Sequence, residues 1–263
     1  MEKGFVHESL VFYSESLRRY MKYSIYLPSN YESDFRKFPL VYLLHGYNGN
    51  ELNWIQKGRI DQTLNYMIYK QEIPPFVVVM PDAGNSWYID SSEYNKYESA
   101  IVNDLANYIE DRYEVSSERE NRFICGLSMG GYGALKIAYK YPTKFYAVGS
   151  LSGVITRQIP PKERIDTFRN DNWPFTSENW EKENIFNYID SLKQSGVNIP
   201  TYLSCGYDDF LGLYSGACDL HHQLQMKKLP SELHIKEGNH NWKFWKEEIK
   251  EVLKFFTKII ELY

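Results

Sequence analysis

Asn121-Arg122-Phe123-Ile124-Cys125-Gly126-Leu127-Ser128-Met129-Gly130-Gly131-Tyr132-Gly133-Ala134-Leu135 decides how this chain folds. Its first five residues read as a short buried strand, and Gly131 to Tyr139 read as a helix packed on one face. Between them a serine stands on a strand-to-helix turn, with a glycine two residues to either side. Such a turn strains the backbone of its central residue, and a Cβ at 126 or 130 would collide with the neighbouring strand and helix. Met129 opens the helix, so its N–H has no intrahelical partner and can face an anion. The Gly-x-Ser-x-Gly pattern alone is a weak signal. Set between a strand and a helix, it is the arrangement that exposes a nucleophilic serine.

Working outward, Phe5–Tyr13 and Met21–Leu27 alternate as an antiparallel strand pair at a sheet edge would. Phe38–His45 is continuously apolar, as a strand buried on both faces should be, and Phe76–Pro81, Arg122–Cys125, Ala147–Leu151 and Thr201–Cys205 share that character. Helical patterns lie at about 60–71, 98–113, 130–141, 215–227 and 242–261. Apolar strands alternating with amphipathic helices specify an α/β fold: a mostly parallel sheet covered on both sides, with the antiparallel pair at its N-terminal edge. The whole of 1–263 fits one domain. The stretch from about 155 to 198 is different. It carries Pro160, Pro161 and Pro174 with Trp173, Phe175 and Trp180, and reads equally as a cap over the strand ends or as a surface excursion.

Composition narrows the partners. The formal net charge is −4 and no basic stripe appears, so nucleic acid is not expected. The first eight residues lack the apolar core of a signal peptide, and no apolar run approaches the ~20 residues needed to span a bilayer. Cys125, Cys205 and Cys218 are odd in number and read as core residues rather than bridges. The expectation is a reducing, cytoplasmic setting.

If Ser128 is a nucleophile, it needs a base and an orienting acid, which follow the serine in proteins built on this turn. That order sets aside His7 and His45. His221 and His222 fall in a helical pattern and His234 in the alternating strand Glu232–Lys236, whereas His240 sits in a loop between that strand and the last helix. Loops at strand ends are where rigid scaffolds carry catalytic groups. For the acid, Asp208 and Asp209 follow the strand Thr201–Cys205, and spacing does not choose between them. Either can fix the imidazole tautomer and stabilise its charged form. Two N–H donors are needed for the developing oxyanion. Met129 offers one, and the loop Leu44-His45-Gly46-Tyr47 offers Tyr47 N–H as the other, with Gly46 allowing close approach. No metal-ligand spacing or phosphate-binding loop is present, so neither a metal nor another cofactor is expected.

With these residues in place, the chain resembles the esterase-D-like branch of the α/β-hydrolases, which includes tributyrin-type, feruloyl and acetyl-xylan esterases and S-formylglutathione hydrolases. The resemblance is carried by Leu44-His45-Gly46-Tyr47-Asn48-Gly49, Met80-Pro81-Asp82, Asn85-Ser86-Trp87-Tyr88, Gly126 to Ala134, Cys205 to Leu211 and Gly238-Asn239-His240-Asn241-Trp242. It runs from about residue 20 to 256 and is thinnest over 155–198. It implies a single α/β-hydrolase domain and hydrolysis of acyl esters through a serine acyl-enzyme, without a cofactor. In that family the acid is the second of the two residues, which places the role on Asp209. The resemblance also implies a small-molecule ester substrate, such as acetyl or feruloyl esters of plant polysaccharide fragments, and a homo-oligomer as a common state. Thiolester hydrolysis, acyl transfer to another alcohol and a binding role on the same scaffold are the competing readings. Trp87, just past a strand end, reads either as a wall of the substrate pocket or as packing for its own loop. Trp242 and Trp245 read as core residues of the last helix.

Overall fold

The computed structural model describes residues 3–34, 36–159 and 174–260. Ten strands are present among them: β1 (Phe5–Ser14), β2 (Arg19–Leu27), β3 (Leu40–Leu44), β4 (Val77–Pro81), β5 (Asp90–Ser92), β6 (Asn95–Lys96), β7 (Arg122–Leu127), β8 (Ala147–Leu151), β9 (Thr201–Gly206) and β10 (Ser231–Lys236). Eight of them form one sheet in the order β1-β2-β4-β3-β7-β8-β9-β10, while β5 and β6 pair separately as a small hairpin. The β1–β2 and β2–β4 pairings are antiparallel, and every pairing from β4 to β10 is parallel. The expected α/β sheet with an antiparallel N-terminal edge is therefore present.

Alternation along the strands divides the core in two, because successive side chains point to opposite faces. On one face Tyr42, Leu44, Ile124, Val148 and Leu203 share a cluster with Leu105, Ile109, Leu135 and Leu220. On the other, Val41, Leu43, Phe123, Cys125 and Tyr202 meet Leu64, Met67, Ile249, Val252 and Phe256. Each such side chain contributes about 1.5–3 kcal/mol by leaving water.

The helices are α1 (Asn53–Gln56), α2 (Ile60–Tyr69), α3 (Tyr97–Ser99), α4 (Ala106–Arg112), α5 (Met129–Lys140), α6 (Trp180–Glu183), α7 (Ile189–Ser195), α8 (Tyr214–Met226) and α9 (Trp242–Ile260). In α9, Trp245, Ile249, Val252, Phe256 and Ile259 are buried at spacings of three and four, one stripe facing the sheet. The helix expected at 98–113 is not a uniform α-helix. A π-helical turn, Ala100–Leu105, separates α3 from α4, and within it Asp104 accepts bonds from Ser14 Oγ (2.5 Å) and Ser16 N–H (2.8 Å). Of the 155–198 stretch, Pro160, Pro161 and Trp173 lie outside the described residues. The part from 174 onward contributes α6 and α7 and packs Phe175, Ile185 and Leu192 into the first cluster.

Candidate active site

The parallel strands end on one side of the sheet, and the chemistry gathers there. Ser128 follows β7 with φ 54° and ψ −118°, a strained conformation held from both directions. Its N–H donates to Leu151 O on β8 (2.9 Å), and its carbonyl accepts from Tyr132 N–H (3.1 Å). The flanking glycines have the steric reason expected of them. A Cβ on Gly126 would strike the backbone of Gly130, and one on Gly130 would come within 2.5 Å of His45 O and 2.7 Å of Leu44 O.

Two further loops converge on the serine. His240 Nε2 lies 3.0 Å from Ser128 Oγ, and His240 Nδ1 lies 2.8 Å from Asp209 Oδ2. With the carboxylate as acceptor, Nδ1–H donates to Asp209 and Nε2 is left to accept from the serine hydroxyl. Of the adjacent pair, Asp208 is exposed and Asp209 is buried. The second oxygen of Asp209 accepts Leu211 N–H (3.0 Å), and the Cys205 thiol donates to Oδ2 (3.7 Å). Burial, with the Asp209 charge beside it, pushes the Cys205 thiol up to about 12, so it stays a neutral donor. The two loops are tied together: Asn239 Oδ1 accepts from His240 N–H (2.7 Å) and Phe210 N–H (3.2 Å). The Trp245 ring lies perpendicular to the imidazole, with the ring centroids 4.9 Å apart.

The other histidines are elsewhere. His234 stacks on Tyr202 at 4.5 Å, His221 contacts Ser231 Oγ (2.9 Å), and His7 is exposed. His45 is fully buried and braces the loop after β3. Ala83 N–H donates to its Nε2 (3.0 Å), so the ring carries its proton on Nδ1, which donates to Gly46 O (2.7 Å). Burial pushes its pKa below the ordinary histidine range, favouring this neutral form. Gly46 lies against the elbow: a Cβ there would sit 2.6 Å from Leu127 Cδ1 and 3.4 Å from Ser128 Cβ. Tyr47 follows Gly46 and borders the same cavity as Ser128, and Met129 opens α5 immediately after the serine.

A cavity of about 230 Å³ opens at Ser128 and His240, bordered by Gly46 and Tyr47 and ringed by Phe210, Leu211, Trp242 and Trp245. Both tryptophans of α9 thus line the site as well as packing the core. Asn53, on α1, and Lys57, which caps that helix, line it too; four residues give sequence reasoning no periodicity to detect. Trp87 is 1% exposed and is not among the lining residues; its ring packs on Tyr47 (6.2 Å), Tyr132 (5.8 Å) and Phe175 (5.3 Å). Among the described residues, no group of three or more His, Cys, Asp and Glu could hold a metal ion, and no helix is long and apolar enough to cross a membrane.

Residues 14–256 match the family described as putative esterase. The chain belongs to that family, the esterase-D-like α/β-hydrolases. This family member is 30% identical over 238 residues to an acetyl esterase of Caldicellulosiruptor saccharolyticus, the match covering 86% of each chain. Its fold superposes on a ferulic acid esterase with a TM-score of 0.86 at 24% identity, over 99% of this chain and 100% of that one. A fluorophosphonate-binding serine hydrolase of Staphylococcus aureus gives 0.81 at 20% identity, over 97% and 99%.

Proposed function

We propose that this esterase-family protein is a cofactor-independent serine carboxylesterase of the cytoplasm, cleaving small acyl or feruloyl and acetyl esters of plant polysaccharide fragments. The observation that carries the reading is the line of contacts from Ser128 Oγ to His240 (3.0 Å) and on to Asp209 (2.8 Å). In this mechanism Ser128 Oγ attacks the ester carbonyl while His240 Nε2 takes its proton, and Asp209 stabilises the imidazolium that results. Tyr47 and Met129 N–H groups receive the oxyanion. His240 then returns the proton to the departing alcohol, leaving an acyl-serine. Water, deprotonated by the same imidazole, releases the acid and restores the hydroxyl.

Turnover of p-nitrophenyl acetate and methyl ferulate, with Ser128→Ala as the blank, tests this. The variant should lose on the order of 10⁶ in kcat, the scale on which removing such a serine disables a triad. Covalent labelling of the wild type, and not the variant, by a fluorophosphonate probe is the companion result. Normal turnover by Ser128→Ala would sink the reading, and product analysis with added alcohols separates hydrolysis from acyl transfer.

A further inference from the structure

The carboxylate of Asp209 is held by three donors. Leu211 N–H takes Oδ1, His240 Nδ1–H takes Oδ2, and the Cys205 thiol adds a bond to that same Oδ2 at 3.7 Å. Sulfur is a weak donor, but this one has nowhere else to turn. Cys205 is fully buried at the end of β9, and burial with the Asp209 charge keeps its proton in place. Behind the thiol stands Ser152, at the turn out of β8. Its N–H donates to Ser204 O on β9 (2.7 Å), one residue before Cys205, and its hydroxyl is a second hydrogen-bond partner of the thiol. The same hydroxyl accepts Trp245 Nε1–H (3.2 Å).

The direction of each bond follows from the donor inventory. An indole can only donate, and a hydroxyl or a thiol carries one proton. Trp245 therefore gives to Ser152, Ser152 to Cys205, and Cys205 to Asp209. The line closes on itself, because the Trp245 ring lies against the imidazole that Asp209 holds. Ser152, Cys205, Asp209 and Trp245 are all at most 6% exposed, so water offers them no ready alternative. Hydrogen bonds aligned head to tail in such an interior polarise and strengthen one another. Ser152 also stands at φ 48°, a left-handed conformation that strains a serine and suits a glycine. A glycine there would relieve the strain and break the line.

We propose that Ser152 and Cys205 are positioning residues of the esterase reaction: they carry a one-way line of hydrogen bonds from Trp245 to Asp209 that fixes the carboxylate, and through it His240, in the orientation that activates Ser128. The inference rests on the esterase reading and adds to it the residues that hold the acid and base in place. Its test measures p-nitrophenyl acetate turnover by the intact chain in Cys205→Ala, Cys205→Ser, Ser152→Ala and the double alanine variant. Cys205→Ala should lower kcat about tenfold, the low end of what a hydrogen bond to a charged group contributes, and leave KM unchanged. Cys205→Ser keeps a donor and should recover most of that loss. Ser152→Ala should lose less, since the thiol remains, and the double variant should be no slower than Cys205→Ala, because both act along one line.

A second readout needs no turnover. In Ser128→Ala, the proton between His240 Nδ1 and Asp209 should resonate at low field in the NMR spectrum. Adding Cys205→Ala should move it further downfield, as the carboxylate loses a competing donor, while Cys205→Ser leaves it near its place. Wild-type kcat in Cys205→Ala, no recovery in Cys205→Ser, a double variant whose loss is the product of the two single losses, or an unmoved low-field proton each overturns the proposal. Failure of the wild type to hydrolyse any ester would instead sink the esterase reading, and the low-field proton would still report on the line to Asp209.

Discussion

Helix α5 is held at its two ends by opposite means. At its start, Gly126 and Gly130 let backbone meet backbone, so that the elbow is shaped by missing side chains. Further along, Lys136 is fully buried and ion-paired with Glu98 of α3 and with Glu183 of α6 (2.7 Å to the latter). Glu98 is completed by Lys140 Nζ (2.6 Å) and Tyr141 Oη (2.7 Å), and Tyr132 Oη donates to Glu183 O (2.7 Å). A glycine contact asks only for room. A buried ammonium asks for partners delivered from distant segments, and it is those segments, α3 and the stretch after residue 174, that flank the surface depression lined by Asn95, Tyr97, Thr176 and Asn179.

The sharpest way to break this comparison is to remove the buried cation. Lys136→Met leaves Glu183 without its ammonium and Glu98 with one fewer, and stability should fall by about 3–5 kcal/mol in urea unfolding. Neutralising the partners as well, in Lys136→Met/Glu98→Gln/Glu183→Gln, should restore much of the loss, because the cost lies in the uncompensated charge rather than in the missing bridge.

At the other end of the helix, Gly126→Ala places a methyl against Gly130 backbone and within 2.9 Å of Leu44 Cβ, where nothing flexible can yield. The elbow must shift, and displacement of a nucleophile by about 1 Å costs on the order of 100-fold in rate. The expected result is a fall of that size in kcat for p-nitrophenyl acetate, with KM nearly unchanged. An equal loss of kcat in Lys136→Met at low temperature would erase the distinction between the two ends.

That distinction also explains what the sequence revealed. Ser128 and Asp209 each follow an apolar strand and His240 an alternating one, and the Gly-flanked serine, the strand-end loops and the chain order are all local signals; the structure brings the three together. The sheet was legible for the same reason, through unbroken apolar runs such as Leu40–Leu44, and its antiparallel edge through the alternation of Phe5–Tyr13 and Met21–Leu27. What stayed hidden depends on contacts distant in the chain. Lys136, Glu98 and Glu183 look like ordinary helix-surface residues until the fold buries them, and the depression between Asn95 and Asn179 is assembled from two segments that share no pattern. The π-helical turn at Ala100–Leu105 was hidden as well, because its apolar spacing still reads as a helix.

Acid sharpens the comparison more gently. Burial alone would raise the Glu98 carboxyl, but Lys136, Lys140 and Tyr141 outweigh it and hold its pKa below the usual carboxylate range. A depressed carboxylate lends stability above its unfolded pKa of about 4.3 and withdraws it as pH falls through the folded value. His45, also depressed, adds a loss that begins lower than about pH 6.5, where the unfolded chain takes up a proton that the buried ring refuses. Unfolding midpoints should therefore decline mildly below neutrality and more steeply under pH 4.3, and Glu98→Gln should flatten only the second decline. A wild-type midpoint that stays level through both windows would mean the buried charges are not linked to folding as described.

The smallest effect belongs to an exposed anchor of the same segment. Arg157 meets Asp219 through two bonds (2.6 and 2.8 Å), lies over the Phe186 ring at 4.2 Å, and offers its carbonyl to Trp180 Nε1 (3.0 Å) and Asn184 Nδ2 (2.8 Å). Both charged side chains are about half open to water, at 49% and 38%, so solvent and salt screen the pair. Arg157→Met keeps the carbonyl bonds and part of the ring contact, and should cost under about 1 kcal/mol, less again in 1 M salt. If it cost as much as Lys136→Met, the segment after residue 174 would be held from outside rather than by the buried cluster. That segment would then owe its position to the surface, and the contrast between the two ends of α5 would no longer explain it.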